Sequence, residues 1–178
     1  MARDPEEILL IDGYNIINAW SELNEAKKIS LEAAREKLIE IMADYSAQMN
    51  IPVIVVFDAH QVENSRRASY IINGVEVVFT KEGETADHYI EKVVDAIGRE
   101  QKVRVATSDW IEQQIVLGRG ATRISAMELY REVRGLVEER RIREKKNREN
   151  RETLGDRIDP RIWETLERHL KDGAGDDG

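Results

Sequence analysis

The chain contains no cysteine, which excludes disulfides, a thiolate nucleophile and any Cys-ligated zinc. Histidine is nearly as scarce: His60, His88 and His169 share no metal-ligand spacing. A bound metal would therefore be held by oxygen, which favours Mg²⁺ or Mn²⁺. A surplus of basic charge is missing too. The formal charge is −8, so a polyanionic partner would have to be met by local basic patches or by a metal that inverts the local field. No apolar run approaches the roughly 18 residues of a membrane span, and no membrane partner is expected. The opening MARDPEEILL puts acids where a signal peptide needs a basic flank, so a cytoplasmic protein is expected. There is no internal repeat.

What the chain has is a heavily charged globular composition, 41% apolar and 35% charged over 178 residues, enough for one sizeable core and hardly for two. Ile8 to Ile11 reads as a buried strand, with Asp12-Gly13 turning the chain at its end. After a loop, Ser30 caps a helix whose Leu31, Ala34, Leu38, Ile41, Met42 and Tyr45 share a face. Val53 to Phe57 is a continuous β-branched and aromatic run, as in a strand buried on both faces. Residues 59 to 74 are polar and close on the turn pair Asn73-Gly74. Val75 to Thr80 makes a third strand, Thr85 caps a helix through Ile97, and Val103 to Thr107 makes a fourth strand. Ser108 or Asp109 caps a short helix stopped by Gly118. A fifth strand at Thr122 to Ile124 precedes the capping box Ser125/Glu128.

Strands alternating with helices predict a three-layer α/β domain over residues 6–137, with a central, mainly parallel sheet of about five strands. From 138 to 171 a charged helical C-terminal extension is expected. ERRIREKKNRENR holds seven basic and three acidic residues with Ile142 as its one apolar side chain, and cannot bury a face of its own. Gly155 and Pro160 frame a last amphipathic helix with Ile162, Trp163, Leu166 and Leu170. Residues 172–178 read as a disordered acidic tail.

Four segments of the α/β part end a β-type run, or open a helix, with a carboxylate: ILLID at Asp12, VIVVFD at Asp58, TADHYIE at Asp87 and VRVATSD at Asp109. Ligands of open α/β sheets bind in the crevice beyond the carboxyl ends of the strands, so acids gathered there point to a metal pocket. Each has a plainer use. Asp12 can be a turn former, Asp58 a loop aspartate, Asp87 an acid favoured by its helix dipole, and Asp109 an N-cap. Together they would raise one another's pKa unless a cation relieved the repulsion. Glu84 is a further candidate ligand. Asn15 and Ser108 could hold a phosphate or water, while Arg66, Arg67, Lys81, Arg119 and Arg123 in neighbouring loops would suit a nucleic-acid backbone. Residues 140 to 151 could form a phosphate-contacting arm or a solvated helix.

The strings ILLIDGYNIINAW, VIVVFDAH, FTKEGETADHYIE, VATSDW and GRGATRISAMEL closely resemble the YacP-like branch of the NYN domains, PIN-like ribonucleases. The match runs in order from Ile8 to about Leu129, and TLGDRIDPRIWETLE is similar to the family's C-terminal segment. The resemblance implies a PIN-like fold and a Mg²⁺- or Mn²⁺-dependent endoribonuclease acting on messenger RNA in association with the ribosome. By analogy the metal-holding acids fall first on Asp12 and Asp87, then on Asp109 and Asp58, with Asn15 beside them. Two other readings compete: a non-catalytic RNA- or ribosome-binding module with a structural metal, and a receiver-like phosphoacceptor domain. The last would need a lysine after the fifth strand, where Ser125 and Ala126 stand.

Overall fold

A computed structural model describes residues 7–59, 68–109, 114, 118, 120–157 and 159–172. Two compact units are present, residues 1–136 and 137–178. The first is built on six strands: β1 (Glu7–Asp12), β2 (Val53–Phe57), β3 (Ala68–Ile72), β4 (Val75–Phe79), β5 (Lys102–Ala106) and β6 (Thr122–Ile124). They lie in the order β3-β4-β2-β1-β5-β6. All neighbours are parallel except the β3/β4 pair. The described helices are α1 (Gly13–Ala19), α2 (Ser21–Ile29), α3 (Leu31–Met49), α4 (Ala86–Ile97), α5 (Ala126–Arg157) and α6 (Pro160–Asp172).

Strand alternation sends apolar side chains to both faces of the sheet. On one face Leu9, Ile11, Val55, Phe57 and Val77 pack with Ile16, Ile17, Trp20, Leu23, Leu38 and Met42 of α1–α3 and with Ala126, Leu129 and Val133 of α5. On the other, Leu10, Val56, Val78, Val103 and Val105 pack with Ala86, Ile90 and Val94 of α4. The result is the three-layer arrangement expected, of PIN-like type. The chain steps from β1 toward β2 through α1–α3 on one face and returns from β4 to β5 through α4 on the other. A right-handed crossover requires this change of face when the direction of travel reverses.

Among the described residues the sheet has six strands, where about five were expected. Residues 68–72, expected to be loop, form the antiparallel edge strand β3. Four of its five residues are exposed, so no buried alternation marks it, and it is defined by main-chain pairing to β4. Asn73 (φ 51°) and Gly74 (φ 84°) make the turn between them, both left-handed as a two-residue hairpin requires.

The stretch expected to be loop between β1 and the Ser30-capped helix is instead α1 and α2. Gly13, Asn15 and Asn18 have low helix propensity, and burial of Ile16, Ile17, Trp20 and Leu23 outweighs it. Trp20 separates the two helices in extended conformation, and its indole N–H donates to the Ala126 carbonyl at 2.7 Å.

Other boundaries follow local chemistry. Ser30, Thr85 and the reciprocal Ser125/Glu128 box cap α3, α4 and α5. The short helix expected after Asp109 falls largely outside the described residues. In the second unit, α5 runs through Gly155 to Arg157, so that glycine does not frame the last helix as expected. Asp159 then starts α6 by accepting from the Arg161 N–H. Of the expected tail, Asp172 ends α6 and residues 173–178 lie outside the described set.

Candidate active site at the carboxyl edge of the sheet

β2 and β5 flank β1, and the chain leaves β1 toward one side and arrives at β5 on the other. The switch point of this sheet is therefore between the carboxyl ends of β1 and β5, where open α/β sheets form their ligand crevice. Asp12 is the last residue of β1 and pairs in register with Val56 of β2. By alternation its side chain shares the α4 face with Leu10. Its carboxylate also caps α1, accepting from the Asn15 N–H at 3.4 Å.

Across the switch point, Ala106 of β5 is in register with Ile11, so Thr107, Ser108 and Asp109 emerge beside Asp12. The Asn15 side-chain oxygen accepts the Ser108 N–H at 2.6 Å. A backbone N–H can only donate, which fixes the amide orientation and leaves the Asn15 NH₂ as a donor. The Asp109 N–H in turn donates to the buried Thr107 hydroxyl at 3.0 Å.

Asp58 follows the end of β2, and Asp87 occupies the first turn of α4. Because β4 is parallel to β2 and β1, α4 begins at the same edge and packs across β1, β2 and β5. Thr80, fully buried, ties the two segments together. Its hydroxyl donates to the Glu84 carbonyl at 2.8 Å and accepts the Ala59 N–H at 2.9 Å, while its own N–H donates to the Phe57 carbonyl.

The Glu84 carboxylate, 4% exposed, accepts from Lys92 at 3.0 Å and from the Lys81 N–H at 3.5 Å. Those bonds direct it into the loop that presents α4. Lys81 is exposed at this edge and Arg123 is exposed on β6. Arg66, Arg67 and Arg119 lie outside the described residues, as does His60. His88 donates its backbone N–H to the cap residue Thr85. Among the described residues, no three His, Cys, Asp or Glu side chains converge into a group able to hold a metal ion.

Three participants carry no signal that sequence reading used. Thr80 looks like a strand end, and its two loop bonds depend on a long-range fold. Tyr14 lies inside the DGYN string, and its ring packs on Phe57 at 5.1 Å. Arg35 of α3 donates to the Tyr14 hydroxyl at 3.1 Å and sits over the Phe79 ring. Burial pushes the Tyr14 phenol above its ordinary value, against the pull of Arg35, and the negative charge of Asp58 adds to the rise.

Residues 9–171 match the family model of the YacP-like NYN domain. The chain is 48% identical over 140 residues to "Uncharacterized protein YacP" of Bacillus subtilis (strain 168), covering 77% of this chain and 82% of that protein. A crystal structure of Rae1 (YacP) from Bacillus subtilis superposes with a TM-score of 0.64 at 42% identity over 95% of each chain. A mutant form of the same protein gives 0.65 at 48% identity, over 77% of this chain and 81% of that one. Among the described residues, no helix is long and apolar enough to cross a membrane.

Proposed function

Because the chain belongs to the YacP-like NYN domain family, a family whose fold fits a nuclease, we propose that it is a Mg²⁺- or Mn²⁺-dependent endoribonuclease. It hydrolyses an internal RNA phosphodiester, with cytoplasmic messenger RNA engaged by the ribosome as the substrate form. The observation that carries this reading is the meeting of Asp12 with the Thr107–Asp109 segment at the switch point, with the Asp87 turn of α4 opening onto the same edge.

The donor chemistry suits the ion. This edge offers carboxylate oxygens and, in a chain without cysteine, no thiolate, a donor set that suits an ion held by carboxylates, waters and a substrate phosphate. When bound, the ion supplies Lewis acidity toward a phosphate oxygen and the attacking water. Asp12 and Asp87 hold it; Asp109 and Asp58 complete its shell or orient the water. The Asn15 NH₂ and the Ser108 hydroxyl donate to the substrate phosphate. Lys81 and Arg123, with Arg66, Arg67 and Arg119, meet neighbouring phosphates and offset the chain's negative charge. Glu84 acts from behind the edge, holding Lys92 and the loop that aims α4. Water attack forms the new P–O bond and breaks the bond to the 3′ oxygen, which takes a proton. The products are a 5′-phosphate and a 3′-hydroxyl.

The test compares free single-stranded RNA with ribosome-engaged messenger RNA, with Mg²⁺ or chelator, for the parent, Asp12→Asn and Asp87→Asn. The parent is expected to cut only with the metal, and each variant to lose about a hundredfold or more. Variants that cut at the parent rate would overturn the assignment. Intact RNA binding without metal-dependent cleavage by the parent would make the protein a binding module.

A further inference from the structure

Four rings run across the α1–α3 face of the sheet. Tyr14 packs on Phe57, Phe57 on Phe79 at 5.5 Å, and Phe79 on Tyr70 at 6.4 Å between centroids. Phe57 is buried, and Tyr14 and Phe79 are partly so, whereas Tyr70 is 55% exposed on edge strand β3. Tyr70 is the diagonal neighbour of Phe79, because Ala68 is its direct partner. The Arg35 guanidinium lies 5.7 Å above the Phe79 centroid and gives one N–H to Tyr14. A half-buried cation is thus held by Tyr14 of α1 and by the Phe79 ring on which Tyr70 also packs. Lys81 follows two residues after Phe79.

We propose that Tyr70 and Arg35 form a subsite for single-stranded RNA beside the cleavage edge, Tyr70 stacking on a base and Arg35 contacting the adjoining phosphate. The proposal rests on the nuclease reading above and extends it to the substrate's conformation. Unpaired bases are recognised by stacking on aromatic faces and arginine planes, which a base-paired strand does not offer. Arginine suits the second role because its fork keeps further N–H donors after one is given to Tyr14. Edge strands commonly guard themselves with lysine or proline; β3 instead exposes an aromatic ring packed on the same Phe79 that carries the Arg35 guanidinium. In a chain of charge −8, a cation anchored over Phe79, the last residue of β4, is complementary to a polyanion.

The test measures binding and cleavage of a fluorescent single-stranded RNA by full-length parent, Tyr70→Ala, Tyr70→Phe, Arg35→Gln and Ile71→Ser. Ile71 is 71% exposed on the opposite face of β3 and controls for disturbance of the edge. Tyr70→Ala is expected to weaken binding by about five- to a hundredfold and to raise KM with little change in kcat. Tyr70→Phe and Ile71→Ser stay near the parent. Arg35→Gln is expected to weaken binding and to lower the salt slope by about one. A duplex of the same sequence gains nothing from Tyr70.

Three results overturn the subsite: Tyr70→Ala binding as the parent does, losing no more than Ile71→Ser, or changing self-association rather than RNA affinity. If the parent cuts RNA and Tyr70→Ala is unaffected, the subsite falls and the nuclease reading stands. A parent that neither binds nor cuts this RNA removes the subsite, and one that also leaves ribosome-engaged messenger RNA uncut removes the nuclease reading as well.

Discussion

The Asn15 side-chain oxygen accepts the Ser108 backbone N–H at 2.6 Å, although 93 residues separate them. This bond closes the switch point: Asn15 belongs to the turn that Asp12 caps, and Ser108 precedes Asp109. Asn15→Ala therefore releases the segment after β5 from the end of β1. The expected result is a stability loss of about 1–2 kcal/mol with a fall in RNA cleavage of roughly a hundredfold, since small misplacements at a reacting centre carry that cost. Urea unfolding and single-turnover cleavage measure the two effects. Cleavage that falls no further than the folded fraction would assign the bond to stability alone.

Thr80 does the same work between β2 and α4. Removing its hydroxyl by Thr80→Val keeps the shape but strands the Ala59 N–H and the Glu84 carbonyl in a buried place. Destabilisation of about 2–4 kcal/mol is expected. Thr80→Ser restores both bonds and should recover most of that loss and the cleavage rate. If Val and Ser variants unfold at the same urea concentration, the hydroxyl is not the link between the Asp58 and Asp87 segments.

The buried strands were legible because two-sided burial writes itself as unbroken apolar runs at 8–11 and 53–57 and as a run broken by Glu76 alone at 75–79, and the caps at Ser30, Thr85 and Ser125 because their chemistry is local. β3 was not, since Tyr70, Ile71 and Ile72 are exposed and the strand is defined by pairing rather than by a buried face. α1 failed for the opposite reason: its glycine and asparagines argue against a helix, and packing of Ile16 and Ile17 decides otherwise. Asp12, Asp58, Asp87 and Asp109 could be placed at strand ends and a helix start from pattern alone. Thr80 and Arg35 could not, because their roles arise from contacts with partners far along the chain. The loop role of Glu84 was hidden for the same reason, since Lys92 meets it only once α4 has formed.

Gly13 sits where α1 leaves β1 under the Phe57 ring. A Cβ there would overlap the ring's edge, and Phe57 is fully buried between Tyr14 and Phe79, so it has nowhere to swing. Gly13→Ala is expected to cost about 1–3 kcal/mol, as overpacking does, despite alanine's better helix propensity. It should also displace Tyr14 and loosen the Arg35 contact. Thermal unfolding together with RNA affinity checks this; an unchanged or raised Tm would show that the ring stack yields freely.

Far from that edge, Tyr45 and Arg104 offer a test of the fold by pH. The Tyr45 hydroxyl donates to Glu132 at 2.7 Å and accepts from Arg104 at 2.8 Å, and Arg104 also pairs with Glu132 and Glu7. These bonds join α3, β5, α5 and β1. Burial first, and then donation to Glu132, pushes the Tyr45 phenol from its ordinary value near 10 up to about 12, against the pull of Arg104. Above pH 10 the unfolded chain ionises this phenol while the folded protein still holds the proton. Folding stability from Tyr45 is thus fully present below pH 10 and is lost as pH rises toward 12. Tyr45→Phe should destabilise by about 1 kcal/mol at pH 8 by breaking the two bonds. Between pH 9 and pH 11.5 the parent should lose about 1–2 kcal/mol more than the variant. Urea unfolding of both proteins at the two pH values cancels the other titrating groups, and parallel losses would mean that the phenol is no better protonated folded than unfolded.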